Sequence, residues 1–210
     1  MLRLLGKASS INVRKVLWTC AELGVEVERE DWGSGFRPTA DPAFLALNPN
    51  ATVPVLVDSD LAIWESNTIC RYLAGRYGSG ATDSLLPREA VARAGVEQWM
   101  DWQATELNNA WRYAFMALVR ASAAHRDPGQ VDASVAAWNR HMGILDARLA
   151  RTGAYVAGSA FSLADVVLGL SGNRWAMTPM ARPTLPAVDA WLERLRRRPG
   201  FRAFGENGIP

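Results

Sequence analysis

Val53-Pro54-Val55-Leu56-Val57, Asp58-Ser59-Asp60 and Leu61-Ala62-Ile63-Trp64 are followed at once by Glu65-Ser66-Asn67-Thr68. The first group is apolar and β-branched apart from its proline, so it reads as a strand. Proline has no N–H to give to a ladder, so Pro54 belongs at the start of that strand or at a sheet edge. The Asp-Ser-Asp group reads as a turn, Leu61 to Trp64 as another short strand, and Thr68 to Tyr77 as a helix. Working upstream, Leu2 to Leu5 is a strand candidate. Residues 11–23 place Val13, Val16, Leu17 and Cys20 at helical spacing. Ser9, Ser10 or Asn12 can cap that helix, and Gly24 stands where it should stop. Val25 and Val27 alternate with Glu26 and Glu28, which predicts a strand. Residues 31–42 carry Gly, Pro and Asp and read as a loop. The order is β-α-β-loop-β-β-α, closed most simply by one sheet with helices on its faces.

Downstream the character changes. Residues 78–88 are a Gly/Ser/Pro linker. Beyond it, Leu107, Trp111, Ala114, Phe115 and Leu118 recur at helical spacing. So do Val135, Trp138, Met142, Leu145 and Leu149, and then Val188, Trp191, Leu192 and Leu195. No alternation of strand type follows residue 90, and loops are expected at 124–131, 152–161 and 177–186. The fold class is therefore α/β plus all-α, with an α/β domain over 1–77 and an all-α domain over 89–210.

Composition sets the outer limits. The chain has 210 residues, 49% hydrophobic and 21% charged, which excludes wholesale disorder. No apolar run approaches the roughly 18 residues of a membrane helix, and Met1 to Leu5 is too short for a signal-peptide core. With 23 Lys+Arg against 21 Asp+Glu, the net charge of +2 gives no general reason to expect nucleic acid or an acidic membrane as partner. Cys20 and Cys70 cannot build a disulfide framework, so a reducing cytoplasm is the natural setting. His125 and His141 have no Cys or acid near them in a metal-ligand pattern, so no metal is expected. Nine tryptophans are an excess. They serve as core and interface packing or, more sharply, as walls of an aromatic pocket. Arg194, Arg196, Arg197 and Arg198 read as a solvated helix face near a C-terminal dipole.

Four local groups carry chemistry: Ser9-Ser10-Ile11-Asn12-Val13-Arg14-Lys15-Val16; Asn48-Pro49 followed by Val53-Pro54-Val55-Leu56; Trp64-Glu65-Ser66-Asn67; and Phe161-Ser162-Leu163-Ala164-Asp165. Taken singly, each has a plain structural reading. Ser10, Asn12 and Ser66 are preferred capping residues, and Ser162 with Asp165 has the spacing of a capping box. In this order and at these separations, the four together resemble the cytosolic glutathione transferases, and the resemblance spans nearly the whole chain. It implies an N-terminal thioredoxin-like domain followed by a C-terminal helical bundle. It also implies a cytoplasmic homodimer that takes part in detoxification, with glutathione as co-substrate.

The chemistry this implies is thiol activation. A free thiol has a pKa near 8.5 and only its thiolate is the nucleophile. Donors aimed at the sulfur favour the charged form, and the start of a helix adds free N–H groups. No Tyr or Cys lies between Met1 and Val16, so the tyrosine and cysteine mechanisms of the family drop out. The resemblance assigns the thiol to Ser10 and Asn12. Their S-x-N-x-x-K pattern is closer to bacterial nu-type members than to the serine-only classes. Ser9, Thr52, Val53, Pro54, Glu65 and Ser66 are the implied glutathione-binding residues. Pro54 matches the family's cis-proline, which turns the Val53 main chain toward the cysteinyl part. Glu65 takes the γ-glutamyl ammonium, and Ser66 takes the γ-glutamyl carboxylate. Ala51 departs from the glycine common after Asn50. The second-substrate pocket, for a hydrophobic electrophile or a small disulfide, is expected between the halves at Asn108, Trp111, Arg112 and Phe115, with Arg174 and Trp175 as weaker members. Three other readings stand beside a transferase: a glutathione-dependent disulfide reductase, a non-catalytic binding protein, and a zeta-like isomerase or dehalogenase, although Ile11 replaces that type's cysteine.

Overall fold

The computed structural model describes residues 1–78 and 84–210. Most of the expected linker can be followed, but its stretch 79–83 lies outside the described residues.

Strand β1 (Leu2–Leu5) runs through the middle of a four-stranded sheet of order β2-β1-β3-β4. It pairs parallel with β2 (Glu28–Glu30) and antiparallel with β3 (Val55–Asp58), which pairs antiparallel with β4 (Leu61–Trp64). Leu4 faces Leu56 across the ladder, and both are buried beneath α1 (Ile11–Leu23) and α3 (Ser66–Tyr77). Alternation along the strands turns Leu5 and Val55 to the opposite face. There they form a second small core with Trp32 and Phe44.

Three local expectations need correction. The strand read at Val25 and Val27 lies further on, at Glu28–Glu30. Gly24 adopts φ 65° and closes α1, and the N–H of Val25 still bonds back to Cys20. The two valines are therefore an extended descent onto the core. The true strand is a charged sheet edge, as edges often are. The strand read from Val53 starts at Val55, after the proline. The expected loop 31–42 runs into a short helix, α2 (Pro42–Leu45), capped by Asp41, which accepts the Ala43 N–H at 2.8 Å.

The rest of the described chain is helical. Helix α4 (Ala90–Trp102) passes through a π-helical turn, Gln103–Leu107, directly into α5 (Asn108–Leu118). Helix α6 (Pro128–Thr152) begins inside the loop expected at 124–131, with Asp127 as cap and Pro128 in its first turn. Helix α7 (Leu163–Met177) is buried along nearly its whole length, and α8 (Pro186–Arg196) covers it. A second π-helical turn, Phe201–Gly205, follows.

The two halves are plugged together by Trp18 of α1. Its indole stacks 5.2 Å from the Phe201 ring and 5.8 Å from Phe161, and its N–H donates to Glu22 at 2.7 Å. Gly200 makes room for it, because a Cβ there would stand 2.7 Å from the indole nitrogen. Gly200→Ala is therefore expected to lower stability by about 1–3 kcal/mol, the usual cost of overpacking a filled site. A lower urea midpoint at unchanged slope would show it. Trp32, Trp138, Trp175 and Trp191 are likewise core residues, so most of the tryptophan excess is packing.

Candidate functional site

Three chain segments converge at the open end of the sheet: the β1–α1 connection, the turn before β3, and the β4–α3 junction. The π-helical turn Gln103–Leu107 and helix α5 close the far side. The π turn widens the helix so that Gln103 points inward, while Ala104, Asn108 and Arg112 line up at four-residue spacing toward the sheet. Wide turns of this kind are frequent at functional sites.

Two cavities lie side by side there. The first, of about 330 Å³, is polar and is lined by Asn12, Lys15, Thr52, Val53, Pro54, Glu65, Ser66, Asn67, Ala104, Asn108 and Arg112. The second, of about 430 Å³, is lined by Lys7, Ser10, Ile11, Val53, Trp111, Arg112, Phe115, Met116, Arg120, His125 and Arg174. Val53 and Arg112 line both, so the two share a wall. A roomier recess of about 560 Å³ around Tyr77, Phe161 and Arg198 contains none of the residues expected to bind glutathione or the second substrate.

The residues expected at the site mostly meet here. Ser10 has no side-chain capping bond although it stands at the cap of α1, so its hydroxyl is not consumed by that role. It borders the second cavity while Asn12, two residues on, borders the first. The Val53–Pro54 bond is cis. Ala51 takes φ 54°, the left-handed conformation for which the family's glycine is suited. Asn48 ties the turn together by donating to the Thr52 carbonyl at 2.8 Å. Glu65 is exposed and is held at φ 67°, ψ 110° at the cap of α3, with its main-chain oxygen accepting from Ile69 at 2.9 Å and no capping bond made by its side chain. Asn108 lines the polar cavity and not the apolar one. Ser9 lines neither. Trp175 is not at the site: it is buried and donates to Asn139 at 2.8 Å. Arg174 is at the site, with its guanidinium 4.0 Å from the Phe115 ring centroid and 4.6 Å from that of Trp111.

Lys15 and Asn67 were not singled out as site residues, yet they form the floor of the polar cavity. Lys15 is 1% exposed and donates to Asn67 at 3.2 Å and Gln103 at 2.9 Å. Burial lowers its pKa to about 8, with Cys70 and Glu65 opposing the shift and Arg174 adding to it. Gln103 passes the network on to Asn108 at 2.9 Å and Ser171 at 3.0 Å, and the Trp111 indole donates to the same Asn108 oxygen at 3.0 Å. A buried polar chain thus joins the floor of one cavity to the wall of the other. The sequence signal was available, since Lys15 stands one helical turn beyond Asn12 in the same segment.

Cys20 and Cys70 are buried free thiols, pushed up to about 12 and about 11, above all by burial. Among the described residues no group of three His, Cys, Asp or Glu comes together to hold a metal ion, and no helix is long and apolar enough to cross a membrane.

Comparison with known proteins places this geometry. The family model for the glutathione S-transferase N-terminal domain matches residues 1–75, and that for the C-terminal domain matches residues 108–199. The chain is 37% identical to glutathione S-transferase GstB of Escherichia coli (strain K12), over 96% of each chain. This chain belongs to the glutathione S-transferase family. It is also 34% identical to glutathione S-transferase 3 of Zea mays, over 95% of this chain and 91% of that one. Among solved structures, it is similar to the theta class glutathione S-transferase of Xanthomonas axonopodis pv. citri with glutathione bound. The TM-score is 0.89 at 36% identity, covering 97% of this chain and 96% of that one. The fold is accordingly that of the family, a thioredoxin-like domain followed by an all-helical one.

Proposed function

We propose that this chain is a glutathione transferase in which residues 1–77 hold glutathione and residues 89–210 supply most of the second pocket. One observation carries the reading: Asn12, Val53, Glu65 and Ser66 line one polar cavity whose wall is shared with an apolar one bordered by Ser10. Glutathione has an ammonium and a carboxylate on its γ-glutamyl end. Glu65 pairs with the ammonium, a charge-assisted contact. The Ser66 hydroxyl and the free N–H groups opening α3 take the carboxylate. The main chain of Val53 serves the cysteinyl part, which leaves the thiol at the seam between the cavities. Ser10 and Asn12 approach that seam from its two sides and donate to the thiolate. The sulfur then attacks an electrophile lying along Trp111 and Phe115. A homodimer in the cytoplasm completes the reading, and exposed Leu61 and Trp64 on the edge strand β4 offer apolar surface for a partner copy.

Titrating the ultraviolet absorbance of bound glutathione from pH 5 to 9 tests this. A bound thiol pKa well below the free value of about 8.5 is expected, and Asn12→Ala should raise it. If Ser10→Ala alone raises it, serine is the only activating group. Tight binding with an unshifted pKa would instead mark a binding protein. A disulfide reductase is the second reading, since Asn12 shares the cavity of Glu65 and Ser66 while Ser10 does not. It predicts turnover of a small disulfide with little conjugation of a halogenated aromatic.

A further inference from the structure

The second cavity is apolar in its walls and cationic in its charge. Lys7, Arg112, Arg120 and Arg174 line it and no Asp or Glu does. None of the four forms an ion pair with a carboxylate among the described residues. Arg174 is 3% exposed, and its Nε has no hydrogen-bond partner. Among the described residues its guanidinium makes one long hydrogen bond, 3.4 Å, to an oxygen of the last residue, Pro210, to which Arg14 also donates at 3.2 Å. Arg120 stands over the same Phe115 ring, 5.4 Å from its centroid. Arg14, just behind, is engaged by the last residues: it donates to Asn207 at 3.0 Å and to the Ile209 carbonyl at 2.8 Å. The charges oppose one another. Burial above all, with the like charges of Arg14 and then Arg120 adding to it, lowers Arg174 to about 9.

Arg174 is the buried one of the four and has no Asp or Glu partner among the described residues, and a buried cation is costly unless something charged completes it. Here the gap opens into a cavity, beside an aromatic shelf. We propose that the second substrate is an aromatic electrophile carrying a carboxylate, whose ring lies along Trp111 and Phe115 and whose carboxylate pairs with Arg120, Arg174 and Lys7. The inference rests on the transferase reading above and narrows its electrophile from hydrophobic to anionic. A fitting reaction is aromatic substitution. The glutathione thiolate adds to the carbon bearing chlorine, forming the C–S bond, and chloride leaves with the C–Cl electron pair.

The experiment compares 4-chloro-3-nitrobenzoate with its methyl ester. Each kcat/KM is divided by the uncatalysed rate constant with glutathione, because the ester is intrinsically the more reactive. The corrected value is expected to be at least about tenfold higher for the carboxylate, the order of one charge-assisted hydrogen bond. Arg120 is exposed, so Arg120→Gln does not challenge folding, and it should cut the ratio severalfold. Equal corrected values, or a preference for the ester, overturn the inference and leave the transferase reading standing. A change in the KM for glutathione with an unchanged ratio also overturns it, because the charge would then serve glutathione. Binding of unreactive 3-nitrobenzoate and its methyl ester, without glutathione, separates the two ideas. If the acid binds more tightly while neither chlorinated compound turns over, the anion preference stands and the transferase reading fails.

Discussion

Glu65→Gln is expected to weaken glutathione binding by about 2–3 kcal/mol, roughly 30-fold to 150-fold in Kd, as for loss of a charge-assisted hydrogen bond. The reason lies in what the residue gives up to stand where it does. Glu65 is a non-glycine residue at φ 67°, ψ 110°, a conformation that costs about 1–3 kcal/mol and persists where its surroundings enforce it. The residue is exposed and stands at the cap of a helix whose first residues, Ser66 and Asn67, are buried. A carboxylate at such a position repels a free anion and so needs a ligand with an ammonium beside its carboxylate, as the γ-glutamyl group has. Two substitutions separate the effects. Glutamine keeps the shape and removes the charge, so affinity falls while stability barely moves. Glycine removes the strain as well, so Glu65→Gly should bind as weakly as glutamine or worse and yet raise stability by up to about 1 kcal/mol. Isothermal titration and urea denaturation read the two quantities. An unchanged glutathione Kd in Glu65→Gln would remove Glu65 from the site.

Much of this arrangement was legible because it rests on local rules. The strand after Pro54, the turn at Ser59-Asp60 and the helix opening after Trp64 are short-range features, and they lie within two residues of where the sequence puts them, with β3 beginning at Val55 rather than Val53 and α3 at Ser66 rather than Thr68. The errors are physical too. The β2 strand is charged at Glu28, Arg29 and Glu30, held by pairing to β1 rather than by an apolar face, and alternation detects only the latter. Helix α7 carries no periodic signal because it is buried on every side. Its presence was marked only by Ser162 and Asp165 at its start. The cations of the second cavity come from four separate segments, Lys7 from the β1–α1 connection, Arg112 from α5, Arg120 just past α5 and Arg174 from α7. No spacing rule links such residues, so the excess of positive charge appears only once the chain is folded. The same holds for Lys15 and Gln103, which lie 88 positions apart and 2.9 Å in contact.

Asp165→Ala is expected to remove a large part of the stability of the fold while altering no residue that lines either cavity of the candidate site. The Asp165 carboxylate is fully buried and accepts four hydrogen bonds. One oxygen takes the Val156 N–H at 2.9 Å and the Trp191 indole N–H at 2.9 Å. The other takes the Ser162 N–H at 2.9 Å and the Ser162 hydroxyl at 3.0 Å. The expected capping box is therefore extended, since one side chain also fastens the turn before α7 and helix α8. Alanine leaves these donors stranded in the interior, each at about 1–3 kcal/mol. A loss of roughly 4 kcal/mol or more follows, out of the 5–15 kcal/mol typical of a folded domain. Asp165→Asn should cost about half as much, because its one oxygen still serves Val156 and Trp191 while its NH2 faces the Ser162 N–H, donor against donor. The pH dependence adds a second signature. Burial raises the carboxyl pKa to about 6, against the pull of its four donors. Between its ordinary value near 4 and about 6, the folded chain holds a proton here that the unfolded chain has lost. This group therefore favours folding most at the acid end, and that contribution fades as pH rises through about 6. The asparagine variant, which cannot ionise, should lack that slope. Urea unfolding of the three proteins across this range measures both effects. An alanine variant as stable as the parent would mean that the carboxylate does not hold α7 and α8 together.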